Sequence, residues 1–230
     1  MGIRSVAGSS RAPVARVFTS NTTYTPTAGA VWCLVEVVGA GGGTVSFSTT
    51  ASGIGVSTGG GAGAYIRVGC LPSDITGKTI TVGVASVGGN GSGSSVGSVI
   101  TAAGGGVGNY GVNNSVSAGS LGTVNGANAT STPLATVGTV LEAIAGQGST
   151  RSIFYSPGGS TTAAVVVCSS GGSGKMGQGG PGLNEVYIGS SSAILGTGYG
   201  SGAGGAYASN GANLTAAAGQ PGLVIITEYF

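Results

Sequence analysis

Acidic side chains, histidines and thiols carry much of enzymatic chemistry near neutral pH, and this chain has few of them. It contains five acidic residues, three cysteines and no histidine. Glu36 and Glu228 form the best candidate glycosidase pair, because both lie near the ends of strongly predicted strands and such a pair needs a separation of about 5–10 Å. The alternative, which we favour, is that each carboxylate is an edge or solvent-facing strand residue. The sequence therefore predicts no enzyme and assigns no catalytic residue.

Three glycine-containing segments have the form of nucleotide-binding motifs. Residues 72–79 end in Gly-Lys-Thr, as a phosphate-binding loop does, but the first glycine of that motif is missing and strand-like sequence follows where a helix should begin. Residues 172–177 and 200–205 match G-x-G-x-x-G, yet neither opens a βαβ unit. Such matches arise by chance among 51 glycines. We expect no cofactor.

The three cysteines, Cys33, Cys70 and Cys168, are odd in number, and no two of them have C-x-x-C spacing. Each lies in an apolar or strand-like run, where a free thiol packs as a small buried hydrophobic group. Disulfide and metal-binding roles are the alternatives, and no cluster of residues has the spacing of metal ligands. The odd thiol count and the lack of an apolar signal region favour assembly in a reducing compartment.

Charge and hydropathy argue against two further classes of partner. Seven basic and five acidic residues give a formal net charge of +2, so the chain lacks the basic surface with which proteins bind nucleic acid. The longest apolar runs, 31–38 and 163–168, are too short to span a bilayer. We expect neither nucleic-acid binding nor membrane insertion. With 40% hydrophobic residues and little net charge, the chain is expected to be ordered.

The elements that position these residues are predicted to be β-strands. No segment has a sustained 3.6-residue apolar period, and only residues 139–145 favour a short helical turn. The predicted fold class is all-β, with an antiparallel β-sandwich-like framework. Alternating or β-branched apolar runs indicate strands at 31–38, 64–68, 78–84, 162–168 and 222–230, with weaker signals at 13–20 and 95–102.

Glycine accounts for 51 of the 230 residues and is concentrated between the predicted strands. Each glycine costs about 0.5–1 kcal/mol of additional backbone entropy relative to alanine, so dense hydrogen bonding, association of chains, or both must offset it. Glycines recur at every third residue from 171 to 180, the period of a polyproline-II helix, and at every second residue from 196 to 204. Flexible linkers are the compositional alternative. Because long unstructured loops are uncommon in compact domains, we predict packed glycine-rich tracts, partly polyproline-II-like.

Five aromatic residues lie in or beside the glycine-rich tracts, outside the predicted core strands. Aromatic rings surrounded by small residues make good anchors for sugars or apolar surfaces. The alternative is that the rings fill gaps between packed tracts. The candidate receptor-binding residues are Tyr110, Phe154, Tyr155, Tyr199 and Tyr207.

Several segments together resemble a known family. The strand and glycine tract at 35–43, the segments 59–65 and 77–84, and the C-terminal segment 218–230 are similar to the glycine-rich domain of bacteriophage tail fibre and tail tip proteins. The resemblance covers residues 24–230, although an additional segment interrupts the first glycine tract. It implies a component of the virion tail that is assembled in the host cytoplasm, often trimeric and often in contact with the host surface. It supplies no catalytic residues.

Two functions fit these features. The first is a tail fibre or tail tip adhesin, in which a β-framework displays glycine-rich loops to a host cell-surface glycan or outer-membrane protein. The second is a purely structural part of the virion, in the tail, the baseplate or the capsid decoration. An ice-binding protein would need longer regular glycine triplets than this sequence offers.

We expect the same domain organisation under either function. Residues 1–23 are predicted to be an attachment arm for other virion tail proteins, and residues 24–230 to be one glycine-rich β domain. The entropy cost of the glycines and the family resemblance together predict a homo-oligomer, with a trimer favoured.

Overall fold

The structure, a computed structural model, describes residues 11–114, 119–156, 164–187 and 189–230. Within these ranges the chain forms 22 strands and one short helix, and each strand pairing is antiparallel. The all-β prediction is confirmed. The elements are β1 (Val14–Phe18), β2 (Thr22–Thr23), β3 (Trp32–Val38), β4 (Phe47–Ser48), β5 (Ile54–Ser57), β6 (Tyr65–Cys70), α1 (Pro72–Ile75), β7 (Thr79–Thr81), β8 (Ser94–Val96), β9 (Ile100–Ala102), β10 (Tyr110–Asn113), β11 (Ser120–Val124), β12 (Leu134–Ala135), β13 (Thr139–Ile144), β14 (Ser152–Ser156), β15 (Ala164–Val167), β16 (Gly177–Gln178), β17 (Asn184–Tyr187), β18 (Ser190–Ser191), β19 (Thr197–Gly198), β20 (Tyr207–Ser209), β21 (Asn213–Leu214) and β22 (Leu223–Tyr229).

Two five-stranded sheets form a sandwich that we call the near end. Sheet 1 has the strand order β1-β22-β3-β6-β13, and sheet 2 has the order β12-β9-β8-β7-β2. Alternate residues of β3 point into the sandwich, so Cys33, Val35 and Val37 are fully buried. They belong to one hydrophobic cluster with Ile80 and Ile100 of sheet 2. The strongest strand signal in the sequence therefore lies in the middle of the near-end core.

A second pair of sheets forms what we call the far end. Sheet 3 has the order β10-β5-β20-β18, and sheet 4 has the order β11-β14-β15-β17. Their facing sides share a second hydrophobic core, which includes Ile54 and Tyr207 from sheet 3 and Phe154 and Val166 from sheet 4. The two-stranded pair of β4 and β21 brings Phe47 into a smaller cluster with Ala208 of β20.

Ten chain segments connect the near end with the far end, directly or through the pair of β16 and β19. Their backbones form a middle layer that we call the glycine lattice. The pair of β16 and β19 itself lies against sheet 1, because the neighbouring side chains of Met176 and Tyr199 pack on Val38 and Tyr65. All ten lie within the described residues: 39–46, 58–64, 103–109, 125–133, 145–151, 168–176, 179–183, 192–196, 199–206 and 215–222.

Backbone hydrogen bonds in the lattice repeat at every third residue. A backbone with three residues per turn directs its amide groups to three sides, which is the geometry of a polyproline-II helix. Residues 39–44 have this three-residue repeat, because their successive amides donate to three neighbouring segments in turn. Gly39 and Gly42 donate to Ala64 and Gly61, Ala40 and Gly43 to Ser92 and Gly89, and Gly41 and Thr44 to Gln220 and Ala217, all at 2.8–3.0 Å.

Residues 58–64 lie at the centre of the lattice, and every one of them is buried. A Cβ atom on Gly60 or Gly63 would lie closer than 3.0 Å to a backbone carbonyl of residues 39–46. Glycine is required at these positions because the neighbouring backbones approach so closely. The segment forms backbone hydrogen bonds with five others: 39–46, 103–109, 145–151, 168–176 and 199–206.

The two glycine repeats noted in the sequence do not form the regular structures that their spacing predicts. The amide of Gly174 donates to the carbonyl of Gly177 at 2.9 Å across a tight turn, so residues 171–180 are not a continuous helix. Gly198 and Gly200 have φ angles of +74° and +71°, which interrupts the extended strand expected at 196–204. Spacing alone does not show which segment supplies the hydrogen-bond partners, and here those partners come from distant parts of the chain.

The strand predictions are confirmed for β3, β6 and β22, but the helical turn predicted at 139–145 is wrong. That segment is β13, which pairs with β6 and contains a bulge between Val140 and Glu142. Its β-branched residues suit a strand, and pairing with the edge of sheet 1 satisfies its backbone. The predicted strand at 162–168 is β15; residues 162 and 163 lie outside the described ranges.

The described part of the predicted attachment arm belongs to the near-end sandwich. β1 pairs with β22 along its whole length, from Val14 opposite Glu228 to Phe18 opposite Val224. β2 pairs with β7 in sheet 2. Residues 1–10 lie outside the described ranges, and the attachment role of residues 1–23 stays a prediction.

Candidate functional site

The two carboxylates that form the best catalytic pair in the sequence point to opposite faces of sheet 1. Glu228 lies directly opposite Cys33 of β3, and Cys33 points into the near-end core. Glu36 is three residues after Cys33 on β3. Because successive side chains of a strand alternate between its two faces, Glu36 points away from that core. There its Oε1 accepts a hydrogen bond of 2.6 Å from the Tyr65 hydroxyl. Because the sheet separates the two carboxyl groups, they cannot flank one glycosidic bond.

Glu228 is fully buried and surrounded by donors. Its Oε1 accepts hydrogen bonds from the Tyr24 hydroxyl at 2.7 Å and the Thr27 amide at 3.1 Å, and its Oε2 accepts one from the Thr27 hydroxyl. Nη1 of Arg16 lies 3.4 Å from Oε1. Burial alone would raise the pKa of Glu228, but the hydrogen bonds from Thr27, Tyr24 and Arg16 outweigh it and lower the pKa. These contacts make Glu228 an anchor for residues 16–27.

The three cysteines are buried and free. Cys33 and Cys70 lie opposite each other on β3 and β6. The pKa of both thiols is raised, mainly by burial, and that of Cys70 reaches about 12. Both thiols are therefore protonated and weakly nucleophilic near neutral pH. Within the part of the chain that the structure describes, no group of three or more His, Cys, Asp or Glu residues could hold a metal ion.

The segment that resembles a phosphate-binding loop has a different structure. α1 spans only Pro72–Ile75, and the Asp74 carboxylate already accepts a hydrogen bond of 3.0 Å from the Leu71 amide at its start. Gly77 then adopts a φ of +72° and leads into β7. A phosphate-binding loop wraps the start of a longer helix, so this segment is a capped turn.

The far end carries a group of turns, whereas the two ends of the described chain meet at the near end. There, Cζ of Arg11 lies 4.1 Å from the ring centroid of Phe230. At the far end, residues 49–53 connect β4 to β5, and residues 210–212 connect β20 to β21. Three further connections, between β10 and β11, β14 and β15, and β17 and β18, start and finish there, and each includes residues outside the described ranges.

Thr50 ties three of these far-end connections together. Its carbonyl oxygen accepts hydrogen bonds from the amides of Gly53 at 2.9 Å and Gly211 at 2.7 Å. Its hydroxyl donates to the carbonyl of Asn114 at 2.7 Å. Asn210 at the neighbouring turn has a φ of +57° and donates its amide to Gly53. Hydrogen bonds from backbone groups and from the Thr50 hydroxyl therefore connect turns 49–53 and 210–212 with residue 114.

The far end is almost free of charge. Its described strands and turns contain one charged residue, Glu185 on β17, with Arg151 directly before β14. Exposed residues on its turns, such as Thr50, Ser52 and Asn114, carry hydroxyl or amide groups. Any contact made here depends on shape, apolar area and neutral hydrogen bonds.

A cleft of about 370 Å³ lies between the edge strands β10 and β11. Its lining includes three polar residues, Asn113, Asn114 and Thr123, and two apolar ones, Leu121 and Phe154. Its volume falls in the range of about 300–1,000 Å³ that is typical of ligand sites. The cleft adds a concave surface of mixed polarity to the far end.

The five aromatic candidates have different environments. Phe154 and Tyr207 are only 4% and 2% exposed and belong to the far-end core. Their selection as receptor contacts is therefore corrected: their rings fill the core, as the alternative interpretation holds. Tyr199 is partly buried against sheet 1. Tyr110 and Tyr155 are 55% and 42% exposed at the far end, and for them a receptor contact stays a prediction.

An exposed apolar row crosses the outer face of sheet 4. Leu121 lies opposite Tyr155, which lies opposite Val165, and these side chains are 66%, 42% and 41% exposed. Of these three residues, only Tyr155 is predicted from the sequence as a contact, because no strand is predicted at β11 or β14. The alternation of Ser152–Ser156 was the available signal, since it places Ile153 and Tyr155 on one face.

Alanine substitutions in β14 should separate the core role from the surface role. We expect Phe154→Ala to lower the free energy of unfolding by about 3 kcal/mol, because it empties a packed site in the far-end core. Tyr155→Ala, one residue away on the opposite face, should change it by less than about 1 kcal/mol. Urea unfolding followed by fluorescence measures both values. Equal losses for the two variants would contradict this assignment of faces.

No protein-family model matches the chain, and a search of curated proteins finds no match. A helix long and apolar enough to cross a membrane is not found in the described ranges. The geometry of the chain itself must therefore support any functional proposal.

Proposed function

We propose that this chain is a bacteriophage tail fibre or tail tip protein whose far end contacts the host cell surface. In this proposal the near end joins other virion tail proteins through residues 1–23. The partner at the far end is a host glycan or an outer-membrane protein. A homo-oligomer, with a trimer favoured, is part of the same proposal.

The observation that carries the proposal is the separation of the two ends by the glycine lattice. Ten segments form the lattice, and three of the far-end connections are joined through Thr50. Loops on a rigid framework are frequent sites of recognition. β1 and β2, which belong to residues 1–23, lie in the near-end sandwich, so attachment through these residues leaves the far-end turns free to meet a host.

The alternative function, a purely structural virion component, is supported by the apolar row of Leu121, Tyr155 and Val165. An exposed row of this kind is typical of a surface that meets another protein. In that case sheet 4 would pack on a neighbouring virion protein, and the far end would make no receptor contact.

A competition assay tests the proposal. Purified protein is added to candidate host cells, and phage adsorption is then counted; we expect concentration-dependent blocking. Ser52→Arg, in the exposed turn 49–53, should weaken the blocking by about tenfold or more, because it adds a bulky charge to an uncharged surface.

The matched control is Thr79→Arg, an exposed strand residue at the near end, which should block as well as the unchanged protein. Equal unfolding midpoints for the two variants would show that neither disturbs the fold. Failure of the well-folded protein to block adsorption, on hosts that the phage infects, would favour the structural alternative.

A further inference from the structure

Asn-Gly dipeptides are the places in this chain where asparagine is most prone to deamidation. The side-chain amide of asparagine is chemically labile, and a following glycine offers no side chain to hinder attack by its own backbone nitrogen. That attack requires an amide nitrogen that is not held in a hydrogen bond. Three such dipeptides lie in the described ranges, at 90–91, 125–126 and 210–211.

The structure restrains two of the three dipeptides. In the connection from β7 to β8, the amide of Gly91 donates to the carbonyl of Gly105 at 2.9 Å, and the side-chain oxygen of Asn90 accepts a hydrogen bond of 2.7 Å from the Val107 amide. Both the nucleophile and the group that it would attack are therefore restrained. At the far end, the amide of Gly211 donates to Thr50 at 2.7 Å.

The third dipeptide, Asn125–Gly126, lacks the hydrogen bond from the glycine amide, although the backbone of Gly126 packs closely on that of Ser149. It follows the last residue of β11 and begins the lattice segment 125–133. Asn125 is exposed, and the Gly126 amide donates no hydrogen bond to any described residue. Among the described residues, backbone acceptors thus hold the nitrogen of two of these glycines and not that of the third.

The side chain of Asn109 contacts the carbonyl oxygens on both sides of Gly126. Its Nδ2 donates to the Asn125 oxygen at 3.0 Å and to the Gly126 oxygen at 3.2 Å. A hydrogen bond to the oxygen of a peptide group withdraws electrons from that group, so the Gly126 N–H becomes easier to deprotonate. The same contacts join segment 125–133 to segment 103–109, so a chemical change here acts on the lattice.

We propose that Asn125 is a site of spontaneous deamidation in the folded protein, and that Asn90 and Asn210 are protected. The Gly126 nitrogen attacks Cγ of Asn125, a C–N bond forms, and the side-chain nitrogen leaves as ammonia with the proton that Gly126 gives up. Water then opens the cyclic imide at either carbonyl, which yields aspartate or isoaspartate. Water is the sole co-reactant, and no electrons are transferred.

Either product changes the junction of the far end with the lattice. Aspartate adds a negative charge one residue beyond the pair of Val124 and Ser152, beside Arg151, which directly precedes β14. Isoaspartate lengthens the main chain by one atom, next to the two carbonyl groups that Asn109 holds. The inference concerns the chain itself and does not depend on the function proposed above.

Peptide mass mapping of the intact protein tests the proposal. Samples are incubated at mildly alkaline pH, folded or in denaturant, and the conversion rate at each of the three asparagines is followed with time. For each site, the deamidation rate in denaturant divided by the rate in the folded protein gives the protection by the fold. This ratio removes the influence of neighbouring residues in the sequence on the intrinsic rate. We expect Asn90 and Asn210 to be protected at least about tenfold more than Asn125, the factor for one backbone hydrogen bond.

The outcomes are distinguishable within one sample. Conversion that is confined to Asn125 while the protein remains folded supports the proposal. Protection of Asn125 equal to that of Asn90, or faster conversion at Asn90 or Asn210, overturns it. An Asn125→Ser variant, which cannot form the imide, should show no mass change in the peptide that contains residue 125.

Discussion

Replacing Gly105 by alanine is expected to destabilise the protein by about 4 kcal/mol or more, enough to unfold a marginally stable domain. Gly105 lies inside the lattice, where its amide donates to Ala40 at 2.7 Å and its carbonyl accepts from Gly91. An added Cβ would lie closer than 3.0 Å to the backbone of Gly61 and Ala62. Those atoms are backbone and part of the buried central segment, so no side chain can turn away to make room.

Gly106, the next residue, supplies the control. A Cβ there would have the Asn128 carbonyl oxygen at 3.4 Å as its nearest neighbour, and its φ is not in the left-handed region. Gly106→Ala should therefore be neutral, or stabilising by up to about 1 kcal/mol through the lower entropy of the unfolded chain. Urea unfolding of the two variants measures the difference. Similar stabilities for both would show that close backbone approach does not govern the lattice.

This contrast explains how far the sequence predicts the fold. The near-end strands β3 and β22 are predictable because their β-branched residues alternate and β3 ends in a glycine tract. The lattice is predictable as a class, since so much glycine needs close packing of backbones. The connections within the lattice are not predictable from the sequence. Gly105 and Gly106 are both glycine, and they differ only in which atoms of distant segments lie beside them.

The candidate site was predictable to a similar degree. The aromatic residues outside the predicted strands include Tyr110 and Tyr155, which are exposed, but also Phe154, which is buried. Tyr155 and Phe154 are neighbours in the same short strand, so their side chains point to opposite faces of the sheet. Their roles can be distinguished only when it is known which face is buried. The role of Thr50 had no sequence signal, because its partners are backbone atoms of other turns.

Glu228→Gln is expected to lower the free energy of unfolding at neutral pH by roughly 3–5 kcal/mol. The carboxylate accepts hydrogen bonds from Tyr24 and from both polar groups of Thr27. An amide has one acceptor oxygen and one donor nitrogen. In the glutamine variant, the side-chain NH2 group would therefore face hydroxyl or amide donors that now contact a carboxylate oxygen. Arg16, whose side chain is partly exposed, would lose its partner at little additional cost.

Acid should reduce the stability of the unchanged protein through the same residue. The hydrogen bonds lower the pKa of folded Glu228 below its ordinary value of 4.5, so the unfolded chain takes up a proton first as the pH falls. The contribution of Glu228 is therefore fully present above about pH 5 and is lost as the pH falls through the folded pKa. Urea unfolding between pH 7 and pH 2 measures the slope.

The comparison of variants isolates this group from the other carboxylates. Glu228→Gln should have a shallower loss of stability in acid, so its difference from the unchanged protein should shrink as the pH falls. Glu142→Gln removes an exposed ion pair in which Lys175 lies 2.7 Å away, and it should change stability by less than about 1 kcal/mol. If Glu228→Gln kept the full acid slope, the anchor on residues 16–27 would not be the ionised carboxylate. Because that anchor fastens β1 and its following turn to β22, its loss should also increase hydrogen exchange in β1 before the far end is affected.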